Sequence, residues 1–175
     1  MKAILEIADP CADKRIASLG GTWTERYRRV VEDVSRIFFT GEQHPDELSV
    51  SVSLVSRDTM SELNLQHRHV QGPTDVLSFP LWETEGRFAP PPEWMSVPLG
   101  DIVICADIVE GNAQANGCSF AEEFFLVMVH GLLHLFGMNH DTLESKQRMW
   151  RLQQNLLESM MGRNPRDGCT AEGED

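Results

Sequence analysis

The chain has 175 residues, 41% of them hydrophobic, the usual size of one domain with a sizeable core. Its formal net charge of −12 sets an average surface field that repels a phosphate backbone, which excludes broad non-specific nucleic-acid binding; any such contact needs a local basic patch. No stretch reaches the roughly 20 apolar residues needed to span a bilayer, and Met1 to Pro10 lacks the basic start and apolar run of a signal sequence, so a cytoplasmic chain with no membrane partner is expected. Cys11, Cys105, Cys118 and Cys169 form no Cys-x-x-Cys pair, which suggests a reducing compartment and neither a disulfide scaffold nor a cysteine zinc knuckle.

In chain order, Ile4-Leu5-Glu6-Ile7 reads as a strand. Thr22-x-x-Glu25 is a capping box that starts a helix from about Trp23 to Phe39. Leu48, Val50, Val52 and Leu54 alternate with Ser49, Ser51 and Ser53, the pattern of a strand with one covered face. Asp58 can cap a short helix ending near Gln66, and Val76 to Phe79 is a short strand stopped by Pro80. Pro90, Pro91, Pro92 and Pro98 mark Trp82 to Leu99 as a surface loop. Ile102 to Cys105 is continuously apolar and reads as a central strand, with Cys105 a small core residue, although periodicity alone leaves a buried helical segment open.

Ser119-x-x-Glu122 is a second capping box and fixes the start of a helix running to about Phe136, buried on most sides and next to the sheet. Asp141 or Thr142 caps a last helix whose Met149, Leu152, Leu156 and Leu157 pack inward. The expected fold is α+β or three-layer α/β: one domain over residues 1–161, a small mixed sheet packed by helices, and a fraying tail over 162–175.

His130, His134 and His140 carry the chemistry. On a helix His130 and His134 stand one turn apart on one face, and Gly137 lets the chain leave the helix and return His140 as a third ligand. Three imidazoles leave one position of a tetrahedral ion open. Zinc suits this donor set best, and nickel, iron or cobalt would also bind. Asn139 and Asp141 flank the third histidine; either can accept a proton from an imidazole's second nitrogen, or serve local turn and cap geometry instead. Met138 packs beneath the turn.

The spacing is that of the metzincin proteases, but Gly131 stands where their general-base glutamate would be. Peptide cleavage needs that glutamate to deliver a proton to a poor leaving group. Phosphodiester cleavage instead develops charge on phosphoryl oxygens, where a cation helps. Arg68, between His67 and His69, is the candidate cation, since a guanidinium grips phosphate with two parallel hydrogen bonds. Thr74-Asp75 organises the turn that follows, and Asp75 can also position a water or ligand.

With these blocks the chain resembles the YbeY family of metal-dependent endoribonucleases. His130-Gly131-Leu132-Leu133-His134-Leu135-Phe136-Gly137-Met138-Asn139-His140 is similar to the family's His-Gly-x-Leu-His-Leu-x-Gly-x-Asp-His. Arg68 followed by Thr74-Asp75-Val76-Leu77-Ser78-Phe79-Pro80, and Leu99-Gly100-Asp101-Ile102-Val103-Ile104, are further matches, and the likeness runs from about Leu48 to Leu157. The resemblance implies a single α/β domain, zinc on His130, His134 and His140, and Arg68 on RNA phosphate. It also implies single-stranded RNA as substrate, in maturation of the small-subunit ribosomal RNA 3' end and in ribosome quality control. A protein partner in ribosome assembly is a further expectation. Two departures stand out: Asn139 replaces the family's aspartate, and His69-Val70-Gln71 replaces Gly-Lys-Asp, removing a lysine from the local basic patch. The rival readings are a metallohydrolase acting on peptides or small phosphoesters, and a non-catalytic, metal-stabilised ribosome-assembly factor.

Overall fold

The alternation after Glu47 becomes strand β2 (Glu47–Leu54), with Leu48, Val50 and Val52 buried on one face. The computed structural model describes residues 1–8, 13–39, 44–84, 87–91 and 93–162. In it β2 lies between β1 (Lys2–Ala8) and β6 (Ser96–Ile104), parallel to both. Strand β3 (Val76–Pro80) pairs antiparallel with β6 and completes a mixed sheet of order β1-β2-β6-β3. Pro80 ends an edge strand, where a missing N–H costs no ladder bond.

Helices cover both faces. On one, Leu5, Val50, Val52, Ile102 and Ile104 share a core with α2 (Thr22–Phe38), α5 (Phe120–Leu135) and α6 (Leu143–Met161). On the other, Leu77, Phe79, Val103 and Cys105 form a smaller cluster with Met60 and Leu63 of α3 (Arg57–Arg68) and Ile108 of α4 (Ala106–Asn116). The result is the three-layer arrangement, with a mixed sheet in the middle. A one-turn α1 (Lys14–Ala17) precedes α2.

Several local expectations change. Thr22-x-x-Glu25 forms no capping box: Gly21 is the N-cap without a side-chain bond, and Glu25 pairs with Arg28 instead. Ser56, not Asp58, caps α3, because its hydroxyl accepts from the Thr59 N–H at 3.2 Å, and the helix runs on to Arg68. Of the two caps open for α6, Thr142 is the one used, in a capping box with Ser145. Within Trp82 to Leu99, β4 (Glu83–Thr84) and β5 (Arg87–Phe88) form a short hairpin, and β6 begins at Ser96. The capping box of Ser119 and Glu122 forms as expected. Cys105 and Cys118 are free thiols, while Cys11, Cys169 and the expected tail from residue 163 onward lie outside the described residues. Among the described residues no single helix is long and apolar enough to cross a membrane.

Candidate metal centre

Helix α5 is enclosed nearly all round, with Phe124, Phe125, Val127, Met128, Leu132, Leu133 and Leu135 buried. The Tyr27 hydroxyl donates to the Met128 carbonyl at 3.0 Å, and Trp23 meets Phe124 edge-on at 5.6 Å, so α2 holds the helix's middle. Against the sheet the approach is closer still. A Cβ at Gly131 would lie 3.0 Å from Ser78 Oγ and 3.1 Å from Ile102 Cγ2, while the Ser78 hydroxyl donates to the Gly131 carbonyl at 3.2 Å. Gly131 therefore faces β3 and β6, and a glutamate there would strike the sheet.

The helix ends in a motif that turns the chain back. The Gly137 N–H bonds to the His134 carbonyl at 2.9 Å and the Met138 N–H to the Leu133 carbonyl at 3.1 Å, the paired bonds of a Schellman cap. Gly137 takes φ 73°, and a Cβ on it would lie 3.0 Å from Phe88 N and 3.1 Å from Arg87 C. Glycine is thus required twice over, by the left-handed conformation and by the β4–β5 hairpin lying against it. Met138, half-buried, packs against the core, and the reversed chain brings His140 back to the helix end.

The three histidines converge: one nitrogen from each of His130, His134 and His140 lies within 4.8 Å of the others, so the group could hold a metal ion. His130 Nε2 and His134 Nε2 are 3.0 Å apart. Neighbouring donors on a tetrahedral zinc with bonds of about 2.05 Å stand about 3.3 Å apart, so the helical pair fits such an ion. Burial pushes His134 down to about 4, with His130 and His140 adding to the shift and a hydrogen bond to the Met138 backbone opposing it. Burial likewise lowers His130, against its hydrogen bond to Gln153. Both imidazoles are therefore neutral near pH 7, the form that ligates. The negative end of the α5 dipole also favours a cation here.

Beyond the ligands, the neighbour of His130 is Gln153 of α6, whose Oε1 is 2.9 Å from His130 Nδ1. Asn139 is half-buried and Asp141 exposed, and among the described residues neither side chain hydrogen-bonds one of these imidazoles. Gln153 lies thirteen residues beyond His140 inside an apolar stripe, and no spacing rule signals it.

Arg68 is the last residue of α3 and exposed, and its charge lowers both His130 and His134, which places it on the histidine side of the molecule. Among the described residues it makes no ion pair or hydrogen bond of its own, leaving the guanidinium free for an anion. The next residue, His69, caps α3 in the left-handed conformation at φ 60°. The loop beyond is latched by Asn64, whose Nδ2 donates to the Gly72 carbonyl at 2.8 Å. His67, though exposed, meets Phe79 edge-on at 4.9 Å. Asp75 ties the layers together: its carboxylate accepts from the Val76 N–H at 2.7 Å and from Asn112 Nδ2 at 3.2 Å, and its carbonyl from the Cys105 N–H at 2.8 Å.

The sequence model of the family described as Endoribonuclease YbeY matches residues 17–161. Endoribonuclease YbeY of Renibacterium salmoninarum is 41% identical over 132 residues, which cover 73% of this chain and 80% of that one. The Bacillus subtilis protein of the same description is 36% identical over 140 residues, covering 79% and 89%. The solution structure of a Thermotoga maritima protein superposes with a TM-score of 0.58 at 28% identity, over 98% of this chain and 100% of that one.

Proposed function

This chain belongs to the YbeY family of endoribonucleases, and from that premise we propose that it is a zinc-dependent enzyme cutting single-stranded RNA, with His130, His134 and His140 as the metal ligands and Arg68 as the phosphate-binding cation. Its substrate is the small-subunit ribosomal RNA precursor, matured at the 3' end, and the same cleavage serves ribosome quality control. The observation that carries the reading is the convergence of the His130, His134 and His140 imidazoles at the end of α5, with Arg68, which makes no ion pair among the described residues, on the same side.

A zinc ion held by His130, His134 and His140 would supply Lewis-acid chemistry toward a phosphoryl oxygen. The chain's own groups do the rest. Arg68 donates two parallel hydrogen bonds to the phosphate and stabilises the charge that grows on its oxygens. It stands at the end of a capped helix, and among the described residues no carboxylate pairs with it. Gly131 keeps the helix against the sheet, so no carboxylate base enters the site from that position, which speaks against peptide hydrolysis. The acidic surface restricts productive contact to this local patch, in keeping with presentation of the RNA by a ribosome or a protein partner.

The test is incubation of the purified, metal-characterised protein with single-stranded and structured RNA, with product ends mapped. Attack by the neighbouring ribose hydroxyl leaves a cyclic phosphate, and attack by water leaves a 5'-phosphate. Wild type and His134→Ala are compared for bound metal in parallel. Equal stoichiometric metal in the two would remove the ligand role. Unchanged cleavage of a ribosomal RNA precursor by Arg68→Ala and Arg68→Lys would remove Arg68 from the mechanism.

A further inference from the structure

Gln153 is 6% exposed and sits on the inward stripe of α6 with Met149, Leu156, Leu157 and Met160. An amide placed among such residues is costly unless it is hydrogen-bonded, so a leucine would fill this stripe at less cost. Its Oε1 meets His130 Nδ1 at 2.9 Å, and no other hydrogen bond of its side chain is present among the described residues. An amide oxygen can only accept. The bond therefore requires the proton of neutral His130 to be on Nδ1, which leaves Nε2 with a bare lone pair directed at the His134 side of the cluster. The opposite tautomer would put a proton where an ion must sit.

We propose that Gln153 is a positioning residue of the metal centre: by accepting a hydrogen bond from His130 Nδ1–H it fixes the tautomer and ring rotation that ligate. The inference rests on the metal reading of the three histidines given above. It also has a consequence for charge. A neutral amide orients the imidazole without adding a negative charge, so three neutral ligands and a neutral support leave the ion's two positive charges uncompensated for an anionic phosphodiester. A carboxylate at the same position would accept the same proton but lower that field.

The variants Gln153→Leu and Gln153→Glu separate orientation from charge. Zinc affinity is read by competition with a chromophoric chelator, and the His130 tautomer of the metal-free protein by its imidazole nitrogen chemical shifts. Wild type should show the Nδ1–H form. Gln153→Leu should lose that preference and bind zinc 10- to 100-fold more weakly, while Gln153→Glu should restore both tautomer and affinity. With zinc saturating, Gln153→Glu should nonetheless cut RNA more slowly than wild type.

A folded Gln153→Leu with wild-type affinity and tautomer would overturn the inference and leave the metal reading standing. A wild-type His130 carrying its proton on Nε2 would overturn it without any variant, which keeps the test decisive if Gln153→Leu fails to fold. Wild-type protein that takes up no zinc overturns the metal reading and this inference together.

Discussion

Helices α3 and α5 both end in a left-handed residue, and each ending serves the candidate site in a different way. At the end of α5 the residue is Gly137, buried, with the backbone of the β4–β5 hairpin 3.0 Å from where a Cβ would be. At the end of α3 it is His69, exposed and at φ 60°, a conformation uncommon for any residue other than glycine. The buried turn calls for glycine, by its left-handed φ and the hairpin against it, and it returns His140 to within a few ångströms of His130 and His134. The exposed turn has only to release the chain after Arg68, and the latch from Asn64 to Gly72 carries the loop beyond. The geometry of the three histidines is fixed by packing, then, whereas the position of Arg68 rests on one helix end and the loop beyond it on one side-chain hydrogen bond.

The sharpest way to break this contrast is to overfill the packed side. Gly131→Glu, which would install the protease-type glutamate, should destabilise the fold by about 4 kcal/mol through an unpaired charge driven against Ser78 and Ile102. Urea unfolding reads it, and a folded variant that hydrolyses peptide would reverse the account of that helix face. On the exposed side, Arg68→Ala should lower RNA cleavage about 100-fold with stability changed by no more than about 0.5 kcal/mol. Rates on a defined RNA and unfolding midpoints, measured together, check both halves.

Gly137→Ala meets strain and contact at once and should cost about 2–3 kcal/mol, with weaker zinc uptake in whatever folded protein remains. A milder loss comes from acid. His134 is lowered to about 4 by burial, so between the ordinary histidine value near 6.5 and about 4 the unfolded chain binds more protons than the folded one. Metal-free protein should therefore lose stability as pH falls through that window and level off below it. His134→Asn should flatten the slope in chemical denaturation run across the same range. Smallest is His69→Gly, which relieves the left-handed strain and should stabilise by up to about 1 kcal/mol in the same unfolding assay.

Much of α5 and its site was legible because independent signals agreed there: the Ser119–Glu122 box, apolar residues around the whole circumference, histidines four apart, and a glycine where the helix had to stop. Other helix starts are less legible where several residues able to cap stand together: Asp58 competes with Ser56 at the start of α3, and Asp141 with Thr142 at the start of α6. Which hydroxyl or carboxylate reaches the free N–H groups depends on the direction of the entering chain. The β4–β5 hairpin escaped because strands of two residues have no periodicity to show. Helix α4 buries only Ala106, Val109 and Ala113, too little apolar surface to stand out in the sequence. Gln153 looked like a polar interruption of α6, since only the docking of α6 on α5 brings it to His130.

The Schellman turn at Gly137 also sets the scale on which the centre can come apart. His140 follows His134 by six residues, so closing the ligand ring restricts a very short loop. Its closure entropy is about 2 kcal/mol smaller than that of a ring drawn from Arg68 to His134, by the logarithmic dependence on loop length. An ion held there clamps one neighbourhood of the chain and does little to join its distant halves. It protects the frayable last turn of α5 from local opening, while the register of the sheet and the docking of α3 remain the work of the two apolar clusters.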